Sequence, residues 1–391
     1  MSDMNNRSES DLAPDDHLRH GGNLQELSNR SGIDPYQILD YSANINPAGP
    51  PPWIKDALLS AASRVRCYPD PDSTVLREAA SRKYGLPPEN FLFADGADSL
   101  LFALPLALGV QRCLIPVPTY SGYFRAARRA SVPAISIPLP AEKDFSLSSP
   151  EFSEALAKAL ADALSSVLYK SPNVLEIDTM VFLGAPNNPA GGSFPHNALR
   201  DFASKYPNTC FVVDESFIEL TSDFQSSMEY SKTIPNLIIA RSLTKAWAIP
   251  GARAGFIAGN PNILQRVRSQ LPAWPISCFA EEIALRCLDD TSYLAATVPY
   301  LLKEADDFAA SISTLGDIKV IKSGANFLLL DFSTDSRADS VHKALLSKGI
   351  AMRRYSPEEG LSPRYARVAV RSDRENSRFI AALRDALSKA P

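Results

Sequence analysis

Two runs of this chain, Met180-Val-Phe-Leu-Gly184 and Thr209-Cys-Phe-Val-Val213, are apolar almost without interruption. A strand with one wet face alternates apolar and polar residues. A short run without alternation reads instead as a strand buried on both faces. Such strands need helices above and below them, which implies a mostly parallel sheet in an α/β domain. The flanking sequence has the matching rhythm. Phe91–Ala94, Cys113–Val117, Val132–Ile137, Leu237–Ala240 and Ala254–Ala258 read as further strands, with helices starting near Ser99 and covering Tyr120–Ala130. Ser149-Pro150-Glu151 opens another helix, with serine at the N-cap and proline at the first position. Phe152, Leu156, Leu160 and Leu164 then recur every fourth residue, one apolar face made for packing.

The last third changes character. Residues 262–312 read as long helices, Val320–Phe332 as a pair of strands, Ser340–Lys348 as a helix and Ala366–Val370 as a strand. Asp373–Ala390 closes the chain as a helix with Phe379, Leu383 and Leu387 on one face. The expected organisation is a polar, disordered tail over residues 1–16 and a segment over 17–60 that completes a small domain and covers the site. A large α/β domain follows over 61–270, then a small α+β domain over 271–391.

Composition excludes several classes of function. With 40 basic and 44 acidic residues the net charge is −4, so no global field draws nucleic acid or anionic lipid. The longest apolar stretch, Leu100–Val110, is too short to span a bilayer. Residues 1–16 lack the apolar core of a secretory signal. Cys67, Cys113, Cys210, Cys278 and Cys287 are far apart and odd in number, and the four histidines show no metal-ligand spacing. Reduced thiols, a cytoplasmic location and no metal are expected. No lysine follows a glycine, so a P-loop is absent. A regulator that binds a cofactor without turnover would need an added DNA-binding domain, and about twenty residues before the globular start are too few for one.

Chemistry concentrates at predicted strand ends. In Arg241-Ser-Leu-Thr-Lys245-Ala-Trp-Ala-Ile-Pro-Gly-Ala-Arg253-Ala-Gly255, a lysine follows an apolar strand directly. A lysine that forms a Schiff base needs a rigid, partly desolvated seat that keeps its amine neutral. Ser242, Thr244 and Arg253 suit a phosphate dianion; a surface lysine among turn hydroxyls fits the spacing equally well. Asp214 ends a buried strand, where an acid needs a cationic partner such as a protonated ring nitrogen, or else serves as a helix cap. Asn188, in Ala185-Pro-Asn-Asn188-Pro-Ala-Gly191, suits a phenolic oxygen or a simple Asn-Pro turn. The backbone of Gly96-Ala97-Asp98 at a helix start suits a phosphate. Tyr120 suits stacking on a flat ring, though a core aromatic is the default, and Tyr68 suits a phosphate or a turn.

In this order, and over nearly the whole chain from about His20, these segments resemble the fold-type I pyridoxal-phosphate enzymes of the aspartate aminotransferase superfamily. The resemblance implies a large α/β domain with a mostly parallel mixed sheet plus a smaller α+β domain. It implies pyridoxal 5′-phosphate joined to Lys245, Asp214 on the ring nitrogen, Asn188 on the phenolic oxygen and Tyr120 on the ring. It also implies phosphate contacts from Gly96, Ala97, Asp98, Ser242, Thr244 and Arg253, and a homodimer whose partner subunit supplies Tyr68 to a shared site.

Within that superfamily the sequence is similar to two families, the histidinol-phosphate aminotransferases and the threonine-phosphate decarboxylases of cobalamin biosynthesis. His20-Gly-Gly-Asn23 followed by Asp40-Tyr-Ser-Ala-Asn44-Ile-Asn46-Pro47 resembles the decarboxylases. So does Arg367-Val-Ala-Val-Arg371-Ser372, where the aminotransferases usually carry glycine at the position of Arg371. Phe217 stands where they usually carry a tyrosine. Departures exist: Gly96-Ala-Asp-Ser-Leu-Leu101 is nearer the aminotransferases, Ala190 replaces a usual threonine, and the cysteine-rich extension of some decarboxylases is absent. The implied reaction is decarboxylation of a phosphoamino acid, L-threonine O-3-phosphate or L-serine O-phosphate, with His20, Asn44, Asn188, Arg353 and Arg367 on the substrate and Tyr355 beside them. A histidinol-phosphate or related class I/II aminotransferase is the alternative.

Overall fold

The computed structural model describes residues 21–165, 177–316 and 318–390. The 1–16 tail and His20 lie outside the described residues. The first elements are α1 (Leu24–Ser31), β1 (Leu39–Asp40), α2 (Ile54–Ala62), α3 (Thr74–Tyr84), β2 (Phe91–Ala94), α4 (Gly96–Leu108), β3 (Arg112–Val117), α5 (Gly122–Arg129) and β4 (Ala134–Pro138). Then come α6 (Pro150–Ser165), β5 (Thr179–Gly184), α7 (His196–Lys205), β6 (Thr209–Asp214), β7 (Leu237–Ser242), β8 (Gly255–Gly259) and α8 (Pro261–Arg268). The chain ends with α9 (Cys278–Asp289), α10 (Ser292–Ser313), β9 (Lys319–Lys322), β10 (Phe327–Asp331), α11 (Asp335–Leu346), β11 (Ile350–Ala351), β12 (Arg353–Arg354), β13 (Tyr365–Ala369) and α12 (Asp373–Leu387).

The uninterrupted apolar runs become the centre of a seven-stranded sheet of order β2-β8-β7-β6-β5-β3-β4. Every residue of β5, β6 and β7 is buried. Alternate side chains feed two separate cores: Val181, Phe211, Val213 and Ile239 lie on one face, and Phe182, Cys210, Val212 and Ile238 on the other. Each large side chain so buried contributes about 1.5–3 kcal/mol of transfer free energy. The sheet is parallel except for β8, which pairs antiparallel with both β2 and β7. The expected mixed, mostly parallel sheet is therefore present. The Ser149 cap forms, its Oγ accepting the Phe152 N–H at 3.1 Å, and Phe152, Leu156 and Leu160 are buried.

The C-terminal part builds a second sheet, β12-β13-β10-β9, antiparallel throughout. The α11 helix starts at Asp335, five residues before the expected Ser340, because Thr334 caps it through the Arg337 N–H. The helical stretch after residue 262 is broken between α8 and α9, where Pro272 and Pro275 fall. The N-terminal segment joins this end of the molecule: β1 pairs in parallel with β11. Among the described residues no helix is long and apolar enough to cross a membrane.

Candidate active site

In a parallel sheet the loops that follow the carboxyl ends of the strands surround a common crevice. Here β5 ends at Gly184, β6 at Asp214 and β7 at Ser242, and residues after each line a cavity of about 590 Å³. The far wall comes from the small sheet and the N-terminal segment, through Asn44, Arg353, Tyr355 and Arg367.

Lys245 sits one turn past β7, half-buried, with Nζ donating to Ser242 Oγ at 3.0 Å. Burial pulls its pKa down, which the carboxylates of Asp98 and Asp214 partly offset. That is the environment a nucleophilic amine needs. Ser242 Oγ also lies 2.8 Å from Thr244 Oγ1, so the two hydroxyls form a pair. Ser242 lines the cavity and Thr244 stands buried behind it.

Asp214 is buried and, among the described residues, has no ion-pair partner. Its carboxylate accepts from the Tyr123 hydroxyl at 2.9 Å and from the Ser216 N–H at 3.0 Å. The Ser216 hydroxyl is a third donor. Burial still wins and raises its pKa. An acid that is desolvated, provided with donors and left without a cation is built to face a cationic ligand atom.

The α4 helix begins at Gly96, so its first N–H groups have no intrahelical acceptor and favour an anion. Space for that end of α4 depends on a glycine. A Cβ on Gly255 would stand 2.3 Å from the Ala97 nitrogen. Arg253 is held at the same end by its Pro250 contact, Nη1 to carbonyl at 3.2 Å, and lines the cavity. Tyr120 donates to both Asp98 oxygens, at 2.9 and 3.0 Å, and its ring meets Tyr123 edge-on at 5.5 Å.

On the opposite wall Arg367 is buried and has no ion-pair partner among the described residues. Its Nη1 donates to Asn188 Oδ1 at 2.7 Å and its Nη2 to the Ser42 carbonyl, while Nε finds no partner. Burial lowers its pKa. Arg353 is instead neutralised by Glu359 and stacks 4.9 Å from the Tyr355 ring. Asn44 is buried on the cavity wall with both side-chain polar atoms unpartnered.

Gly96, Ala97, Asp98, Tyr120, Asn188, Asp214, Ser242, Lys245, Arg253, Asn44, Arg353 and Arg367 thus converge on one cavity. Tyr68 does not. It is 77% exposed, stacks on Trp274 at 4.0 Å, and is absent from the lining of its own chain's cavity. Sequence reasoning gave no site role to Tyr123, Ser216, Gly255 or Glu359, and marked Arg371 only as a point of resemblance to the decarboxylases. Tyr123 carried one usable signal, a polar aromatic three residues after Tyr120 on a helix; Ser216, Gly255 and Glu359 become visible only once the chain is folded.

A desolvated amine, a buried acid without an ion-pair partner among the described residues and a free helix N-terminus on one cavity suit a ligand that carries both a basic nitrogen and an anionic group. Residues 36–383 match the family described as aminotransferase class I and II. The adenosylcobalamin biosynthesis bifunctional protein CobDQ of Leptospira interrogans is 33% identical over 92% of this chain, which spans 40% of that protein's length. Threonine-phosphate decarboxylase of Salmonella typhimurium is 31% identical over 94% of this chain and 96% of its own. The crystal structure of histidinol-phosphate aminotransferase from Clostridium acetobutylicum superposes with a TM-score of 0.78 at 26% identity, covering 89% of this chain and 98% of that one. A match over nearly the whole chain, on a cavity with a desolvated lysine opposite a buried acid, makes this protein a member of the aminotransferase class I and II family and a pyridoxal 5′-phosphate enzyme.

Proposed function

We propose that the chain decarboxylates an O-phosphorylated hydroxy-amino acid. L-Threonine O-3-phosphate would give (R)-1-aminopropan-2-ol O-2-phosphate and CO₂, and L-serine O-phosphate would give ethanolamine phosphate, as linkers for a cobamide. The observation that carries the reading is the polar wall. Arg367, buried and free of any carboxylate among the described residues, lies on the same cavity as Asn44, whose amide lacks every partner. Buried polar atoms left this way are costly until a ligand bonds them. The unmet charge of Arg367 suits one anionic group of such a substrate, and the second would have to draw on Arg353, which lines the cavity while paired with Glu359. The likeness to the Salmonella decarboxylase supports the reading, as does Phe217, whose ring lies 5.9 Å from Lys245 Nζ and carries no hydroxyl.

Pyridoxal phosphate, when bound, supplies an electron sink for the pair released as a bond at the substrate Cα breaks. Everything else falls to the chain. Asp214 keeps the ring nitrogen protonated. The α4 N-terminus, Ser242 and Arg253 hold the cofactor phosphate, with Thr244 behind Ser242. Asn188 and Tyr120 fix the ring. Arg367, Arg353 and Asn44 orient the substrate, and orientation decides whether the carboxylate or the Cα hydrogen leaves. Lys245, an uncharged amine in its desolvated seat, would first take up a proton, the substrate's own α-ammonium being one source, and then as the ammonium deliver it to Cα in place of CO₂. In the proposed homodimer Tyr68, exposed on its own chain, serves the cavity of the second copy.

The test incubates the loaded enzyme with L-threonine O-3-phosphate and with L-serine O-phosphate. Stoichiometric CO₂ and amino-alcohol phosphate support the proposal. Glutamate formed from 2-oxoglutarate without CO₂ overturns it in favour of an aminotransferase. The two substrates differ by one methyl group, worth about 1–3 kcal/mol of discrimination in an apolar pocket, so both must be measured.

A further inference from the structure

Residues 40–46 form a strap between the small sheet and the Lys245 loop. We infer that Arg371 is a positioning residue for substrate binding: its grip on the Asp40 carbonyl sets where the Asn44 amide meets the substrate. This rests on the reading of the cavity given above.

Three consecutive strap carbonyls each receive a donor from β13 or the residues just after it. The Ser42 carbonyl accepts from Arg367 Nη2, the Tyr41 carbonyl from the Ala369 N–H at 2.9 Å, and the Asp40 carbonyl from Arg371 Nη1 at 3.1 Å. On its other edge the Tyr41 N–H donates to the Ala351 carbonyl at 2.9 Å. The start of the strap is therefore held on both edges, by the end of β11 on one side and by β13 on the other. Its far end is fixed separately, since the Asn46 N–H donates to the Lys245 carbonyl at 3.1 Å and Asn46 Nδ2 to the Ala246 carbonyl at 2.9 Å. Asn44 lies between the two anchors with no partner of its own.

The three donors differ in kind. Ala369 offers backbone, which no side-chain change removes. Arg367 faces the substrate. Arg371 is ion-paired with Glu375 at 2.7 Å, so its charge is already met and its reach to Asp40 is a matter of position. Glu375 is itself fixed by the Ser372 capping box at the start of α12. The guanidinium lies 5.8 Å from the centre of the Tyr41 ring, which adds a second hold on the same strap. Slack at Asp40 would also reach the chain's entry to the site, because Ser42 Oγ accepts the Gly22 N–H at 2.9 Å. A strap pinned before binding spares the substrate the cost of ordering it.

The test compares Arg371→Met with Arg371→Lys in the loaded enzyme. For Met, KM for L-threonine O-3-phosphate should rise about tenfold or more, the loss of one charge-assisted bond, with kcat and cofactor absorbance within about twofold. Lysine, which keeps a donor and the Glu375 pair, should recover most of that loss. Glu375→Gln, which preserves the cap, should move KM the same way by less and serves if the Met variant does not fold. Hydrogen exchange of the peptide spanning residues 39–46, measured without substrate, should quicken in the Met variant while β5 to β7 stay unchanged. An unmoved KM and exchange, or parallel losses of kcat and cofactor retention, would overturn the inference. A parent enzyme that fails to decarboxylate the substrate would sink the proposed function instead, and exchange alone would then judge the strap.

Discussion

Replacing Tyr123 with phenylalanine removes one hydroxyl and nothing else from the wall behind Asp214. The phenol donates to Asp214 Oδ2 at 2.9 Å from a ring stacked on Phe182 at 4.7 Å, so the ring's place survives the change. Burial and the Asp214 charge hold the Tyr123 pKa well above its usual value, so it remains a donor at every working pH. A hydrogen bond to a charged, buried acceptor is worth about 1.5–3 kcal/mol, and its loss falls on the ionised carboxylate. Burial already raises the Asp214 pKa above its unfolded value. Apoenzyme stability attributable to this group therefore falls as pH rises between those two values, and the cost is complete above the folded one. The variant raises the folded pKa further and widens the window upward. Urea unfolding of the apoenzymes should show the variant less stable by about 1.5–3 kcal/mol near pH 8, and by clearly less near pH 5. With Asp214 in the proposed role beside the ring nitrogen, equilibrium dialysis should show pyridoxal phosphate bound about tenfold more weakly, because that carboxylate is less preorganised. A stability loss equal at both pH values, or none, would refute this account of Asp214.

Other expectations follow from single contacts. Gly255→Ala places a Cβ 2.3 Å from the Ala97 nitrogen and should weaken cofactor retention about tenfold or more with the overall fold intact by circular dichroism. Arg241 is buried and pairs with Glu215 at 2.9 Å and with Glu219 behind the β6 and β7 strand ends; Arg241→Met should cost about 3–5 kcal/mol in urea unfolding, and a Glu215→Leu change in the same chain should return part of it. Arg367→Lys keeps the charge but loses the planar fork that spans Asn188 and Ser42, and should raise KM for the phosphoamino acid more than it lowers kcat.

The parallel core was legible because its signal is local. A strand covered on both faces must be apolar at every position, so β5 and β6 announce themselves, and the neighbouring strands follow from the same rhythm. The site was legible in part for a related reason. Ligand-facing residues of such a sheet fall at strand ends, so Asp214, Ser242 and Lys245 could be found by reading just past each apolar run. The small domain was less legible. Its strands are short, β11 and β12 have two residues each, and they owe their existence to partners far away in sequence. Gly255 and Ala97 looked unrelated until the antiparallel β8 brought them together.

By itself the sequence determined an α/β sheet and the order of chemical groups along its carboxyl edge, because hydrophobic period and strand-end position are properties of contiguous residues; a cofactor role for Lys245 came from the family resemblance. Folding decided which groups carry charge unmet. Arg353 and Arg371 find carboxylates and Arg367 does not; Asn44 is buried with nothing to bond; Tyr68 turns away from its own cavity. These distinctions depend on solvent exclusion and on partners up to hundreds of residues distant, and neither quantity exists until the chain has closed on itself.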